Sequence, residues 1–407
     1  MLNKSINKIF QIFDSIIYYF FFKKKVLFYI KNEIGYVQQY PMIEKLKINK
    51  KVKLFFALDP QCELDYETVK QDLESVRGIS LRTLRIRKFS CVIATDQYVH
   101  WHIRKCPIVI FSHGSAIGNC DKSTDIWPVF RWSRLNANVC VINSKAEFDH
   151  LDLLSRKVRF SKNKIFLLGG SIKQRASIKA ESEGLEKALN FGEGVKVVVI
   201  FSHYTKWSLL RNQGRFLIDA ILRENPDVEI VITGHPKLWT ENTKFKDGSG
   251  IIHDYFKELS RRQKKIHFYD GAATTDIMSI GDIFICDYSS VRVELAAWDK
   301  PTFLYLDKEF EFQSKNTGRM YIDSSYVFSD LEKLCDLLGQ WNEILLPNTP
   351  ITNRELFEYF SHDPEGSLDR NVRAINELIS IPYIGSVKWN AFREKSELEL
   401  SRVFINN

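Results

Sequence analysis

Four short apolar runs in this chain each break off into small, hydroxylic or basic residues. Val109–Phe111 leads into Ser112-His113-Gly114-Ser115, and Val195–Phe201 into Ser202-His203-Tyr204-Thr205-Lys206. Glu229–Thr233 leads into Gly234-His235-Pro236-Lys237, and Ile283–Cys286 into Asp287-Tyr288-Ser289-Ser290. Short apolar runs bounded in this way read as strands buried on both faces. Stretches of helical spacing lie before, between and after them, for example Tyr66–Val76, Gly214–Arg223 and Val291–Trp298. Strands that alternate with helices predict an α/β fold with a doubly wound parallel sheet. Ligands of such a sheet bind outside the carboxyl ends of its strands, which is where all four polar junctions fall.

The fourth junction is the most specific. Gly281–Pro301 reads GDIFICDYSSVRVELAAWDKP, a strand, a hydroxyl pair and the start of a helix. The first turn of a helix has unpaired N–H groups and a partial positive charge, and it attracts anions. Ser289 and Ser290 beside those groups fit a phosphate. One serine alone would equally serve as an N-cap. Glu294 lies one turn after Ser290 on the same helix face. A carboxylate there suits a ribose hydroxyl or a solvated surface. Asp287 is expected to orient the turn rather than to bind a metal. His113, before Gly114, has the chemistry of a general base near neutral pH, although a lone histidine also serves to hold a loop. His235 before Pro236 fits either a phosphate donor or a turn residue.

The order HGS, HYTKW, GHPK, GDIFICDYSSV and KPTFLY resembles the CDP-glycerol glycerophosphotransferase family of teichoic-acid and capsule polymer transferases. The tail SHDPEGSLDR, Ser361–Arg370, is similar to that family's closing segment. The resemblance covers about residues 50 to 380. It implies two Rossmann-like halves facing a cleft, the GT-B architecture. It implies transfer of glycerol phosphate or ribitol phosphate from a CDP-activated donor to a hydroxyl of a polymer or lipid-linked acceptor. The roles it implies are His113 as base and His235 on the phosphate or leaving group. Ser289 and Ser290 would bind the diphosphate, with Asp287, Glu294, Thr205 and Lys206 as further donor contacts. Thr205 and Lys206 stand where the family has a threonine and a basic residue. Asp276, Asp363 and Arg370 are lesser candidates. No cofactor and no metal are implied. After HGS the chain reads AIGNCDK, where the family has T-P-x-K. The donor half therefore matches better than the acceptor half. A nucleotide-sugar glycosyltransferase of the same architecture is the alternative, and a non-catalytic assembly scaffold the less favoured third.

Composition sets the remaining bounds. A chain of 407 residues exceeds what one core usually serves, so two domains are expected. Net charge is +8, which suits anionic partners such as a nucleotide, a phosphopolymer or an acidic membrane surface. No zinc-ligand spacing or nucleic-acid motif is present, so nucleic acid is not expected as a partner. The seven cysteines are scattered without a C-x-x-C pair; neither a disulfide framework nor a zinc site is indicated. Ile6–Phe22 is rich in Ile, Phe and Tyr and is followed by Lys23-Lys24-Lys25. The apolar run Ser15–Phe22 is too short to span a bilayer. It reads as an interfacial helix with the lysines on the headgroups, or as a helix docked on the protein itself. The expected organisation is a membrane-associating segment over 1–48, an acceptor domain over 49–185, a nucleotide domain over 190–380 and a C-terminal helix over 381–407. The expected place is the cytoplasmic face of the cell membrane, as a peripheral protein.

Overall fold

The computed structural model describes residues 24–84, 87–95, 106–111, 137–149, 163–172, 189, 191–192, 194–240, 242–270, 275–312, 314–340 and 349–405. They form an α/β fold with two parallel sheets, each in its own compact unit. His113, the loop after it and residues 1–23 lie outside the described residues, as do residues 181–188 beside the expected domain boundary.

The first unit holds seven strands: β1 (Lys24–Ile30), β2 (Val52–Leu58), β3 (Arg77–Gly78), β4 (Cys91–Thr95), β5 (Ile108–Phe111), β6 (Val139–Ile142) and β7 (Ile165–Leu168). Their order is β3-β2-β1-β4-β5-β6-β7. β1 pairs with β2 from Lys24↔Val52 to Ile30↔Leu58, and with β4 from Val26↔Cys91 to Tyr29↔Ala94. Val26, Leu27, Phe28, Tyr29 and Ile30 are all buried, as a strand covered on both faces requires.

This central strand corrects the boundary set at residue 48. Lys24 and Lys25 open a sheet strand, with the Lys25 N–H donating to Ser90 Oγ at 3.1 Å. The helix Glu33–Lys47 that follows is capped by Asn32, whose side chain accepts from the Gly35 N–H. Its Met42, Ile43 and Leu46 enter the core. Residues 24–47 thus belong to the first sheet's unit.

The chain returns to this unit after residue 360, and not at 380 as expected. The helix Pro364–Leu378 places Leu368, Val372, Ile375 and Leu378 in one core cluster with Val26, Phe28 and Ile30. The last helix, Val387–Phe404, packs on the same unit. Trp389 is fully buried, and its Nε1–H donates to the Asn163 carbonyl at 3.0 Å.

The second unit holds β8 (Val197–Ser202), β9 (Glu229–Gly234), β10 (Ile266–Phe268), β11 (Ile283–Asp287), β12 (Thr302–Tyr305) and β13 (Tyr326–Phe328). Their order is β10-β9-β8-β11-β12-β13. Read within the unit this is 3-2-1-4-5-6. The winding direction reverses between β8 and β11, and a reversal of this kind opens a ligand crevice at the strand ends. β8 and β11 pair from Val198↔Ile283 to Phe201↔Cys286, so Ser202 and Asp287 leave the sheet side by side. Among the described residues no helix is long and apolar enough to cross a membrane.

Candidate functional site

Three polar junctions of the second unit meet where its sheet reverses. Asp287 ties them together. Its side chain is fully buried. Oδ2 accepts from Ser202 Oγ at 3.0 Å, from the His203 N–H at 2.8 Å and from the Leu209 N–H at 3.1 Å. Oδ1 accepts from the Ser289 N–H at 3.2 Å. Burial pushes this carboxyl up to about 6, against four hydrogen bonds that favour its ionised form. The carbonyl of Ser202 in turn accepts the His235 N–H at 2.9 Å. The ends of β8, β9 and β11 are therefore one hydrogen-bonded assembly. With no exposed surface, Asp287 orients the turn and does not itself face a donor, which corrects its place among the donor contacts.

Two histidines face each other across this assembly, with ring centroids 5.3 Å apart. Tyr204 lies 4.4 Å from the His203 ring and 4.6 Å from the His235 ring. Burial holds the His203 imidazole down to about 3, and His235 and Lys237 add repulsion, so the ring is neutral at physiological pH. Thr205 Oγ1 stands 3.4 Å from His203 Nδ1 and also bonds the Tyr288 hydroxyl. The Lys237 N–H donates to His235 Nδ1 at 3.1 Å. That bond leaves the proton of a neutral ring on Nε2 as a hydrogen-bond donor.

The serines divide. Ser289 is buried, and its Oγ accepts from the Val291 N–H at 3.4 Å. Ser290 is half-buried, and its side chain makes no capping hydrogen bond to the helix Val291–Ala296. Glu294 is 1% exposed. The face it shares with Ser290 is packed inward, so Glu294 offers no surface to a ribose hydroxyl. Lys206 is exposed, with Nζ 4.1 Å over the Trp207 ring, and Lys237 Nζ lies 5.1 Å over Tyr204. These cations add positive charge beside the histidines.

The lesser candidates lie apart from this cluster. Asp276 is exposed at the start of the helix Thr275–Ile280. Asp363 and Arg370 are in the first unit and clip each other. Arg370 Nη1 donates to Asp363 Oδ2 at 2.8 Å, and Nε to the Gly169 carbonyl at 3.2 Å. The arginine holds the Asp363 carboxyl below the usual carboxylate range. His113 lies outside the described residues. Among the described residues no group of three His, Cys, Asp or Glu is placed to hold a metal ion.

Several residues of the cluster were not singled out from the sequence: His203, Tyr204, Lys237, Tyr288 and Arg292. A histidine at the same offset past a strand as His113 was the signal for His203. Arg292 is fully buried behind the serines. Its guanidinium donates to Ser325 Oγ, Ser324 Oγ, Asn353 Oδ1 and the Ser324 carbonyl. That carbonyl ends the helix Lys315–Asp323, a helix terminus that favours a cation. No spacing in the sequence announces this bond set.

The fold is similar to that of several solved structures. A variant of the wall teichoic acid polymerase TagF matches with a TM-score of 0.61 and 10% identity, over 93% of this chain and 98% of that one. TagF soaked with CDPG matches with a TM-score of 0.58 and 11% identity, over the same shares of both chains. The S. aureus MnaA–UDP structure matches with a TM-score of 0.54 and 11% identity, over 88% of this chain and 96% of that one. At these identities the likeness is one of fold. No curated protein matches the chain. Residues 174–333, which contain every strand of the second unit and the whole Asp287 assembly, match the model of the transferase family described as CDP-Glycerol:Poly(glycerophosphate) glycerophosphotransferase, the family that the motifs resemble.

Proposed function

We propose that this chain is a CDP-alditol phosphotransferase of GT-B type, with its donor at the β8/β11 junction of the second unit. The supporting observation is the junction itself. Ser290, His235, His203 and two lysines converge at the reversal point of a sheet that lies within the family-matched segment. Phosphoryl transfer needs charge neutralised on the diphosphate and an acceptor oxygen held in line. The acceptor hydroxyl attacks the distal phosphorus. The bond from that phosphorus to the bridging oxygen breaks, and CMP leaves with the bond's electrons. The acceptor proton passes to His113, while His235 donates from Nε2 to a phosphate oxygen. Ser290 and Lys206 hold the diphosphate, and Ser289, Thr205 and Glu294 support the loops around it.

Glycerol phosphate is the donor group favoured by the family match, with ribitol phosphate as its variant. The acceptor is a teichoic-acid or capsule polymer, or its lipid-linked primer, and the first unit takes it. A donor panel tests the reading. CMP release from CDP-glycerol or CDP-ribitol supports it. UDP release from a UDP-sugar would replace it with glycosyl transfer, and turnover of no donor would favour a scaffold.

The same reading places the chain on the cytoplasmic face of the membrane, held by the aromatic and lysine-rich N-terminus. Deletion of residues 1–22 tests this and leaves β1 intact, since that strand starts at Lys24. The shortened protein is expected to leave anionic vesicles, with residual binding that weakens as salt rises. Full sedimentation with vesicles after the deletion would refute the anchor.

A further inference from the structure

The Asp287 carboxylate, at the end of β11, bonds the end of β8 and the start of the helix Leu209–Asn212. Four donors from three chain segments converge on it. Ser202 extends the assembly in two directions. Its Oγ accepts the Leu210 N–H at 3.0 Å, and its carbonyl accepts the N–H of His235. A carboxylate with this many donors is held rigidly, and so are the backbones that supply them. Asp287 has no exposed surface, so its effect on a ligand is carried by the residues that it holds.

We propose that Asp287 is the positioning residue of this site: it fixes the His203 backbone so that the His203 ring is packed against His235 and Tyr204 before any ligand arrives. This rests on the donor-site reading given above. The groups that face the His203 ring are Tyr204, Thr205, His235 and Tyr288, with the Lys237 charge nearby. Two imidazole rings held edge to face, with the Lys237 charge nearby, form a surface already shaped for an anionic ligand. Preorganisation of this kind lowers the ordering cost of binding. If the loop Ser202–Leu209 loses its anchor, the ring swings toward water, regains an ordinary affinity for protons and no longer supports His235.

Asp287→Asn tests this. The amide keeps the size but turns a donor toward the Ser289 N–H and removes the charge that the other three donors share. Imidazole NMR on the ligand-free protein reads the first consequence. In the wild type the His203 signal stays neutral below pH 5, and in Asp287→Asn it titrates near 6.5. Calorimetry with CMP reads the second: the dissociation constant rises about tenfold or more, the scale of one charge-assisted hydrogen bond. Ser202→Ala removes one of the four donors and is the milder variant should Asp287→Asn fail to fold; it is expected to move both readouts in the same direction by less. An unchanged His203 titration in folded Asp287→Asn or Ser202→Ala protein overturns the proposal. The NMR result stands without any ligand. Failure of wild-type protein to bind CMP would therefore count against the donor reading alone.

Discussion

The two units share a plan and differ in what they place at the same point of it. Each sheet runs 3-2-1-4-5-6, with a seventh strand in the first unit. In the first unit the described residues at the β1/β4 reversal are used to hold the sheet together. The Tyr29 hydroxyl donates to Asp59 Oδ2 at 2.5 Å, and Gln39 Nε2 donates to the Tyr29 carbonyl and to Thr95 Oγ1. In the second unit the equivalent reversal carries an acid that holds backbone, and leaves histidine rings, a serine hydroxyl and lysines around it. The scaffold is common, and the chemistry comes from junction residues. An open parallel sheet provides the place but not the reagent.

The comparison breaks most visibly at the end of the chain. Trp389 is fully buried in the first unit although it lies more than 300 residues from β1 in sequence. Loss of a buried Trp side chain costs about 3–5 kcal/mol. Trp389→Ala is therefore expected to melt the first unit early in calorimetry and to leave nucleotide binding by the second unit in place. A single transition that shifts as a whole would show that the two units unfold together.

His113→Ala comes next, because it tests the first unit as the acceptor half. Turnover is expected to fall about 100-fold or more, the scale of a lost general base. Affinity for CMP should not change. If affinity falls with turnover, His113 acts on the donor, and the division of labour between the units is wrong.

Much of this architecture was legible in the sequence. β5, β8, β9 and β11 were each marked by an apolar run that stops at a polar junction, and three of those stops meet in the Asp287 assembly. β1 was not legible, because KKVLFYI reads equally as a lysine-flanked membrane segment. Only its pairing with both β2 and β4 separates the two. The return of the chain at residue 361 was also hidden. The amphipathic pattern of Pro364–Leu378 says that one face is buried but not against which sheet. Glu294 and Ser290 share a helix face by spacing. Spacing does not show that the face turns inward at Glu294, since burial depends on packing from distant segments such as the helix Asn353–Phe360. His203 lay within a quoted motif, yet its worth depends on Asp287, 84 residues away.

The two serines sharpen the comparison at the scale of one side chain. Ser290→Ala is expected to weaken CMP binding about tenfold, because one charge-assisted hydrogen bond is worth about 1.5–3 kcal/mol. Its melting temperature should hold, since this hydroxyl caps nothing in the helix. Ser289→Ala should do the reverse: its Oγ accepts from Val291 and is buried, so stability falls and affinity changes little. Calorimetry and thermal melting on the two variants separate the roles. Equal effects would mean that neither serine is distinguished by the capping pattern.

The smallest effect is a slope with pH, and it too separates the units. His203 titrates at about 3 when folded, well below its ordinary 6.5. Stability from this group is complete above pH 6.5 and is lost as pH falls toward 3, because only the unfolded chain takes the proton. Asp287 has the opposite sign. Its folded value near 6 exceeds the ordinary 3.8, so the folded form takes the proton first and gains as pH falls from 6 to 3.8. Each group contributes at most about 1.4 kcal/mol per pH unit, and between pH 6 and 4 the two nearly cancel. In the first unit, burial lowers His362 as well, and that group adds the same loss to wild type and to variants of the second unit. His203→Gln removes one side of the balance. Its stability relative to wild type should therefore rise as pH falls from 6.5 to 4.5, read by denaturant unfolding at three pH values. A difference that stays constant with pH would show that His203 takes a proton as readily in the folded protein as in the unfolded one, and would remove the packed, neutral ring from the account of the second unit.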